Sequence, residues 1–237
     1  MNSLLPTAPA VLIGTALLSG ASLNACASPA PRPLTLRARY GIPRPVSLDP
    51  VRTALVLVDF QREFLDGGVP LPEAAPASDR ALALLSWARE RGLLVVFVRQ
   101  LAAGPGPFFA PGSPGAELLA GFEPRADEWV VTKSAAGAFT RTDLARRLAD
   151  RQVEQLIVAG FMTHLAVDST ARDATVLGLR VVVASDATAT RSLPAADGGE
   201  PVDHRILQRA ALAAIGDRFA DVLSVDEIAA LPVEPAR

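Results

Sequence analysis

A carboxylate and a solitary ammonium close two apolar runs of this chain. Asp59 follows Thr53-Ala54-Leu55-Val56-Leu57-Val58, and Lys133 follows Trp129-Val130-Val131-Thr132. Lys133 is the one lysine among 23 lysine and arginine side chains. A guanidinium is a fixed planar cation, whereas an ammonium is a compact charge whose protonation answers to burial and pairing. In a chain this biased towards arginine, the surviving ammonium is a candidate for chemistry that arginine cannot do. A carboxylate beside it is held ionised or tuned as a proton donor or acceptor. The plainer use of the same pair is a structural salt bridge. A third candidate is the turn Gly160-Phe161-Met162-Thr163-His164-Leu165-Ala166, which leads from an apolar run into a helical pattern. Backbone N–H groups at such a helix start form an anion or oxyanion site.

These residues share one rim only if the elements around them form a parallel sheet. The runs 53–59, 93–98, 129–132, 155–160 and 180–184 are continuous and rich in β-branched residues, as expected of strands buried on both faces. Helical periodicity separates them at 77–91, 141–150, 164–177 and 203–215, and 220–225 offers a short last strand. Repeated β-α units predict an α/β fold with helices on both faces and the site at the strand C-terminal ends. The Gly- and Pro-rich stretch 102–127 is expected as a long loop, and loops of that length are usually functional. Phe108 and Phe109 are the aromatic side chains this loop would expose.

The chain has 237 residues, net charge −2 and 5% aromatic content. One α/β domain with ample apolar material is expected, and neither the charge nor the aromatics suggest nucleic acid. With one cysteine, Cys26, and two histidines, His164 and His204, no internal disulfide and no metal cluster is expected. Residues 1–27 combine a short apolar segment with Ala25-Cys26-Ala27 and read as an export signal, with Cys26 removed or lipid-bearing. The expected location is therefore outside the cytoplasm, with cytoplasmic residence as the alternative and any membrane contact confined to that N-terminal anchor. The rest divides into a linker and lead-in over 28–50, a domain over 51–230 and a tail over 231–237.

Four segments carry a specific resemblance. V-L-V-D-F-Q-R-E-F-L-D-G-G at 56–68, V-V-T-K-S-A-A-G-A-F-T-R-T-D-L at 130–144, V-A-G-F-M-T-H-L-A-V-D-S-T-A-R-D-A at 158–174 and S-D-A-T-A-T-R at 185–191 resemble, in order, the isochorismatase-like cysteine hydrolases. The resemblance implies a Rossmann-like three-layer α/β/α fold with a mostly parallel sheet, and a homo-oligomer. It assigns acid/base work to Asp59 and charge tuning to Lys133. It also implies a cis bond joining Phe161 and Met162, and an oxyanion hole from the N–H groups of Met162 and Ala166. The nucleophilic cysteine position falls on Ala166, whose methyl group cannot attack a carbonyl. Ser169 and Thr170 lie a helical turn further on and are expected to bond their own backbone.

Three functions follow from this departure. The first is hydrolysis of a small molecule, at a C–N amide or a vinyl ether, by acid/base chemistry at Asp59 with Lys133. The second is a catalytically silent binder, and the third is a Cys-to-Ala variant of an amidase-type member. Gln61, Phe64, Phe108, Phe109, Phe139, Phe161 and His164 are the expected substrate-binding residues. No cofactor is expected. The absence of histidine between 61 and 163 argues against the metal site of nicotinamidase-type members.

Overall fold

The computed structural model describes residues 33–104 and 106–234. The expected export segment 1–27, with Cys26, lies outside the described residues. Six parallel strands form one sheet in the order β3-β2-β1-β4-β5-β6. They are β1 (Thr53–Val58), β2 (Leu94–Gln100), β3 (Trp129–Lys133), β4 (Gln155–Phe161), β5 (Arg180–Ala189) and β6 (Asp221–Leu223). All residues of β1 and β4 are buried, as their unbroken apolar sequences require of central strands.

Alternation along β1 feeds two cores. Leu55 and Leu57 face a cluster shared with α2 (Ala74–Glu90) and α6 (Val225–Ala229). Ala54, Val56 and Val58 face a second cluster. That cluster includes side chains of α3 (Leu144–Asp150), α4 (Asp168–Val176) and α5 (His204–Arg218). The chain thus builds the three layers expected of it.

The order reverses between β1 and β4: the chain leaves β1 for β2 and β3, then returns to the other side of β1. Such a switch point opens a crevice beyond the strand C-terminal ends. Gly160 makes the close approach there feasible. It has φ 142°, and a Cβ on it would sit 2.0 Å from the Val58 carbonyl oxygen.

Several boundaries differ from the sequence expectation. The helix expected from His164 begins instead as a π turn over Thr163–Val167 and becomes α-helical at Asp168. The strand expected over 180–184 runs on to Ala189. The long loop contains a 3₁₀ turn at Pro114–Ala116 and a bridge between Leu118 and Gln61. The lead-in is not a bare linker. It carries α1 (Leu36–Arg39), capped by the Thr35 side chain, and Leu48 is fully buried. Leu48 donates to Pro232 O at 2.8 Å and accepts from Glu234 N at 2.9 Å, so lead-in and tail pair with each other. The compact unit consequently starts at Leu34. No helix among the described residues is long and apolar enough to cross a membrane.

Candidate active site

Asp59 is the first residue beyond β1. Its N–H bonds Val98 O at 2.8 Å, and its backbone adopts φ 57°, a left-handed conformation that aspartate tolerates better than most residues. Lys133 ends β3, two strands away. Its Nζ lies 2.7 Å from Asp59 Oδ2, with both side chains almost wholly buried. The same ammonium donates to Gln100 Oε1 at 2.9 Å and to Ala135 O at 3.1 Å. Asp59 Oδ1 is buried and accepts no hydrogen bond.

Two opposing effects act on the Asp59 carboxyl. Burial disfavours the anion, while the Lys133 ammonium and, to a lesser extent, the Gln100 backbone N–H favour it. Burial wins, raising the group from 3.8 to about 6. A carboxyl tuned to that range exchanges protons near neutral pH, which an ordinary surface salt bridge does not do.

The turn after β4 supplies the third element. The Phe161–Met162 peptide is cis, at the position the resemblance implied. Met162 O accepts from both Leu165 N at 3.0 Å and Val167 N at 3.2 Å, which closes the π turn. A π turn carries one residue more than an α turn and is frequent at functional sites. Ala166 is buried inside this turn and belongs to the same core cluster as Val58, Val98, Val131 and Ala138. Val58, Val98 and Val131 lie near the C-terminal ends of β1, β2 and β3, and Ala138 lies in the segment after β3.

The segment after Lys133 is fastened to the helix that carries this turn. Ala138 N donates to Thr170 Oγ1 at 3.1 Å, so Thr170 bonds a different segment rather than its own backbone. A Cβ at Gly137 would meet Asp173 Oδ2 at 2.7 Å and Ser169 Cβ at 3.4 Å, which is how closely the two segments approach. Asp168, next in the helix, is paired with Arg172 at 2.7 Å.

The residues expected to bind substrate separate into groups. Gln61 has no exposed surface, and its amide is held by backbone: Nε2 donates to Gln100 O and Ala116 O at 2.9 and 2.8 Å, and Oε1 accepts from Gln100 N at 2.7 Å. It ties the ends of β1 and β2 to the long loop, so its place is structural. Phe161 is fully buried and Phe64 nearly so. They pack in an aromatic group with Phe60 and Phe109, at centroid distances of 4.8 Å for Phe60–Phe161 and 5.3 Å for Phe64–Phe109. Phe108 is 42% exposed, as the loop reading expected, whereas Phe109 is half-buried against the core. Phe139 is half-buried against the cluster that contains Ala166. His164 is half-buried, and its Nδ1 is hydrogen-bonded to Thr190 Oγ1. Burial first, then the nearby Arg191, pushes its imidazole below the usual range, so the ring is neutral at pH 7.

Two residues escaped the sequence reading. Gln100 accepts from Lys133, yet in sequence it is one polar residue beside Arg99 at the fraying end of a strand. Glu63 is buried and accepts from Gly68 N at 2.5 Å and Phe109 N at 3.3 Å, anchoring the long loop. Its only signal was a carboxylate between Arg62 and the apolar pair Phe64-Leu65. His204 starts α5, beside Glu73 and Asp203, with none of the site residues among its partners. Among the described residues no group of three histidine, cysteine or carboxylate side chains is placed to hold a metal ion.

Comparison with known proteins bears on this geometry. The family model described as "Isochorismatase domain" matches residues 53–227. A streptothricin hydrolase of Streptomyces noursei is 41% identical over 180 residues, covering 76% of this chain and 64% of that protein. The chain therefore spans slightly less than two thirds of that relative. A second streptothricin hydrolase of the same organism is 39% identical over 206 residues, 85% of this chain and 78% of that protein. Among solved structures, an isochorismatase from Pseudomonas putida KT2440 superposes with a TM-score of 0.77 at 31% identity, covering 83% of this chain and 99% of that one.

Proposed function

From the chain's membership of the isochorismatase family, a family of hydrolases, we propose that it hydrolyses a C–N bond of a small molecule with water as the nucleophile and Asp59 as the proton-transfer group. The observation that carries this reading is the buried Asp59–Lys133 pair at 2.7 Å with Asp59 Oδ1 left without a partner. The two streptothricin hydrolases support a hydrolytic reading of the same scaffold.

The chemistry follows from the groups present. The Asp59 carboxylate takes a proton from water as the oxygen attacks the carbonyl carbon. The oxyanion that forms is met by the N–H groups of Met162 and Ala166. The same proton then passes from Asp59 to the leaving nitrogen as the C–N bond breaks. Lys133 keeps the carboxyl from rising further. A group with its midpoint at about 6 is roughly nine-tenths ionised at pH 7. It is therefore a better base towards water than an acid towards an alkene, which favours C–N hydrolysis over vinyl-ether cleavage.

A second reading has its own observation. The Ala166 methyl supplies no nucleophile, and the same residues on a scaffold that binds without turnover would be arranged alike. A panel of small amides, lactams and carbamoyl compounds, read by thermal shift and by product release, separates the two. The first reading expects wild-type turnover whose kcat/KM falls as pH drops through about 6, because protonated Asp59 is no base. Asp59→Asn should lose about 10²-fold or more in turnover. Full activity in Asp59→Asn would sink this mechanism. Binding with no turnover in either form would establish the silent binder.

A further inference from the structure

Lys133 Nζ carries three hydrogens, and three acceptors surround it: Asp59 Oδ2 at 2.7 Å, Gln100 Oε1 at 2.9 Å and Ala135 O at 3.1 Å. An ammonium so satisfied has no hydrogen left for a substrate. Its reach needs explaining as well, because β2 lies between β3, which carries it, and β1, which leads to Asp59. Gln100 is the β2 residue paired in register with Lys133. The Gln100 backbone cannot shift easily, since its N–H and its carbonyl are both bonded to the side chain of buried Gln61, at 2.7 and 2.9 Å. The Gln100 side chain therefore springs from a fixed point midway along the path of the lysine.

We propose that Gln100 is a positioning residue: its carboxamide oxygen holds the Lys133 ammonium against Oδ2 of Asp59 and leaves Oδ1 as the oxygen that exchanges the proton. The proposal rests on the proton-transfer role of Asp59 set out above. Lys133 then acts on the reaction only through the carboxylate, and the Gln100 side chain only through Lys133, while the Gln100 backbone N–H, which any substitution but proline keeps, favours the Asp59 anion directly. Lys133 is the charged group that faces Asp59 and the main opposition to burial, so slackening its hold lets the carboxyl rise further.

The test is the titration of the Asp59 carboxyl carbon by NMR, with Asp59→Asn identifying the signal. Gln100→Met keeps the length of the side chain and removes the acceptor. The expected result is an Asp59 midpoint about one unit higher, with kcat down about twofold at pH 7 and about tenfold at pH 5, and KM within about twofold. A midpoint that is unchanged or lower overturns the proposal. So does a raised KM with unchanged kcat, which would mean that Gln100 holds substrate instead. If Gln100→Met does not fold, Gln100→Glu keeps an acceptor and adds a competing anion beside Lys133. It should raise the midpoint by about a unit or more, and an unchanged midpoint there overturns the proposal equally. The titration uses no substrate, so its failure and a failure of Asp59→Asn to abolish turnover are separate results.

Discussion

At the scale of single residues, a methyl group stands at position 166, buried inside the π turn that follows β4. Ala166 shares a core cluster with Val58 and Val131, from the strands that carry Asp59 and Lys133 at their ends. Ala166→Cys tests whether that turn still activates a nucleophile. A thiol in the turn that opens a helix is expected to titrate below its usual 8.5 or so. With simple activated amides or esters it should accumulate an acyl adduct one substrate fragment heavier by mass spectrometry. A thiol in the ordinary range that forms no adduct would show that the turn lacks oxyanion stabilisation. Asp59 and Lys133 stood out in the sequence because each closes an apolar run, where a parallel sheet puts its strand ends, whereas position 166 was marked only by the family resemblance. Gln100 and Glu63 were not. A lone glutamine or glutamate looks like any solvated polar residue until a fold shows which backbone groups and charges it meets.

At the scale of elements, the site depends on two loops held in register with the sheet. The segment after β3 carries the Ala135 carbonyl that binds Lys133, and Thr170 of α4 anchors it by accepting from Ala138 N–H. Thr170 has no exposed surface. Thr170→Val keeps the shape and removes the acceptor, leaving a buried N–H unsatisfied at a cost of about 1–3 kcal/mol. The melting temperature should fall by about 3–8 °C, and kcat should fall more than KM rises, because the lysine loses its footing. An unchanged melting temperature would mean that the bond is not formed in solution.

The same scale shows what periodicity can and cannot read. Strands β1, β2 and β4 were evident because buried parallel strands are unbroken apolar runs. The π turn was invisible. Thr163-His164-Leu165-Ala166-Val167 has the same pattern whether the turn closes after four residues or five, and closure is decided by two N–H groups converging on Met162 O. The extension of β5 to Ala189 was hidden by Ser185, Asp186 and Thr188. These polar residues reach Leu223 O, Arg80 and Ser185 O respectively, satisfactions that no sequence pattern announces.

At the scale of the whole molecule, the boundary of the folded unit is set by pairing between its two ends rather than by composition. Prolines over 28–50 suggested a linker, yet Leu48 is fully buried in the α2-side core and bridges Val233 across the chain. Arg37 adds an ion pair to Asp221 at 2.5 Å, tying the lead-in to β6. Asp221 is itself partly buried, which raises its carboxyl, and the Arg37 and Arg44 guanidiniums oppose that rise. If the lead-in were a passive tether, truncating Leu48 would cost little, as surface changes usually do. If it closes the core, Leu48→Ala removes a buried side chain and leaves a cavity, costing about 2–5 kcal/mol. Denaturant unfolding should then show a lower midpoint with an unchanged slope, since the same surface is exposed on unfolding. The Asp59 titration should stay near 6, because Leu48 is not among the groups that shift it. A loss of stability below about 0.5 kcal/mol would return the lead-in to the status of a linker.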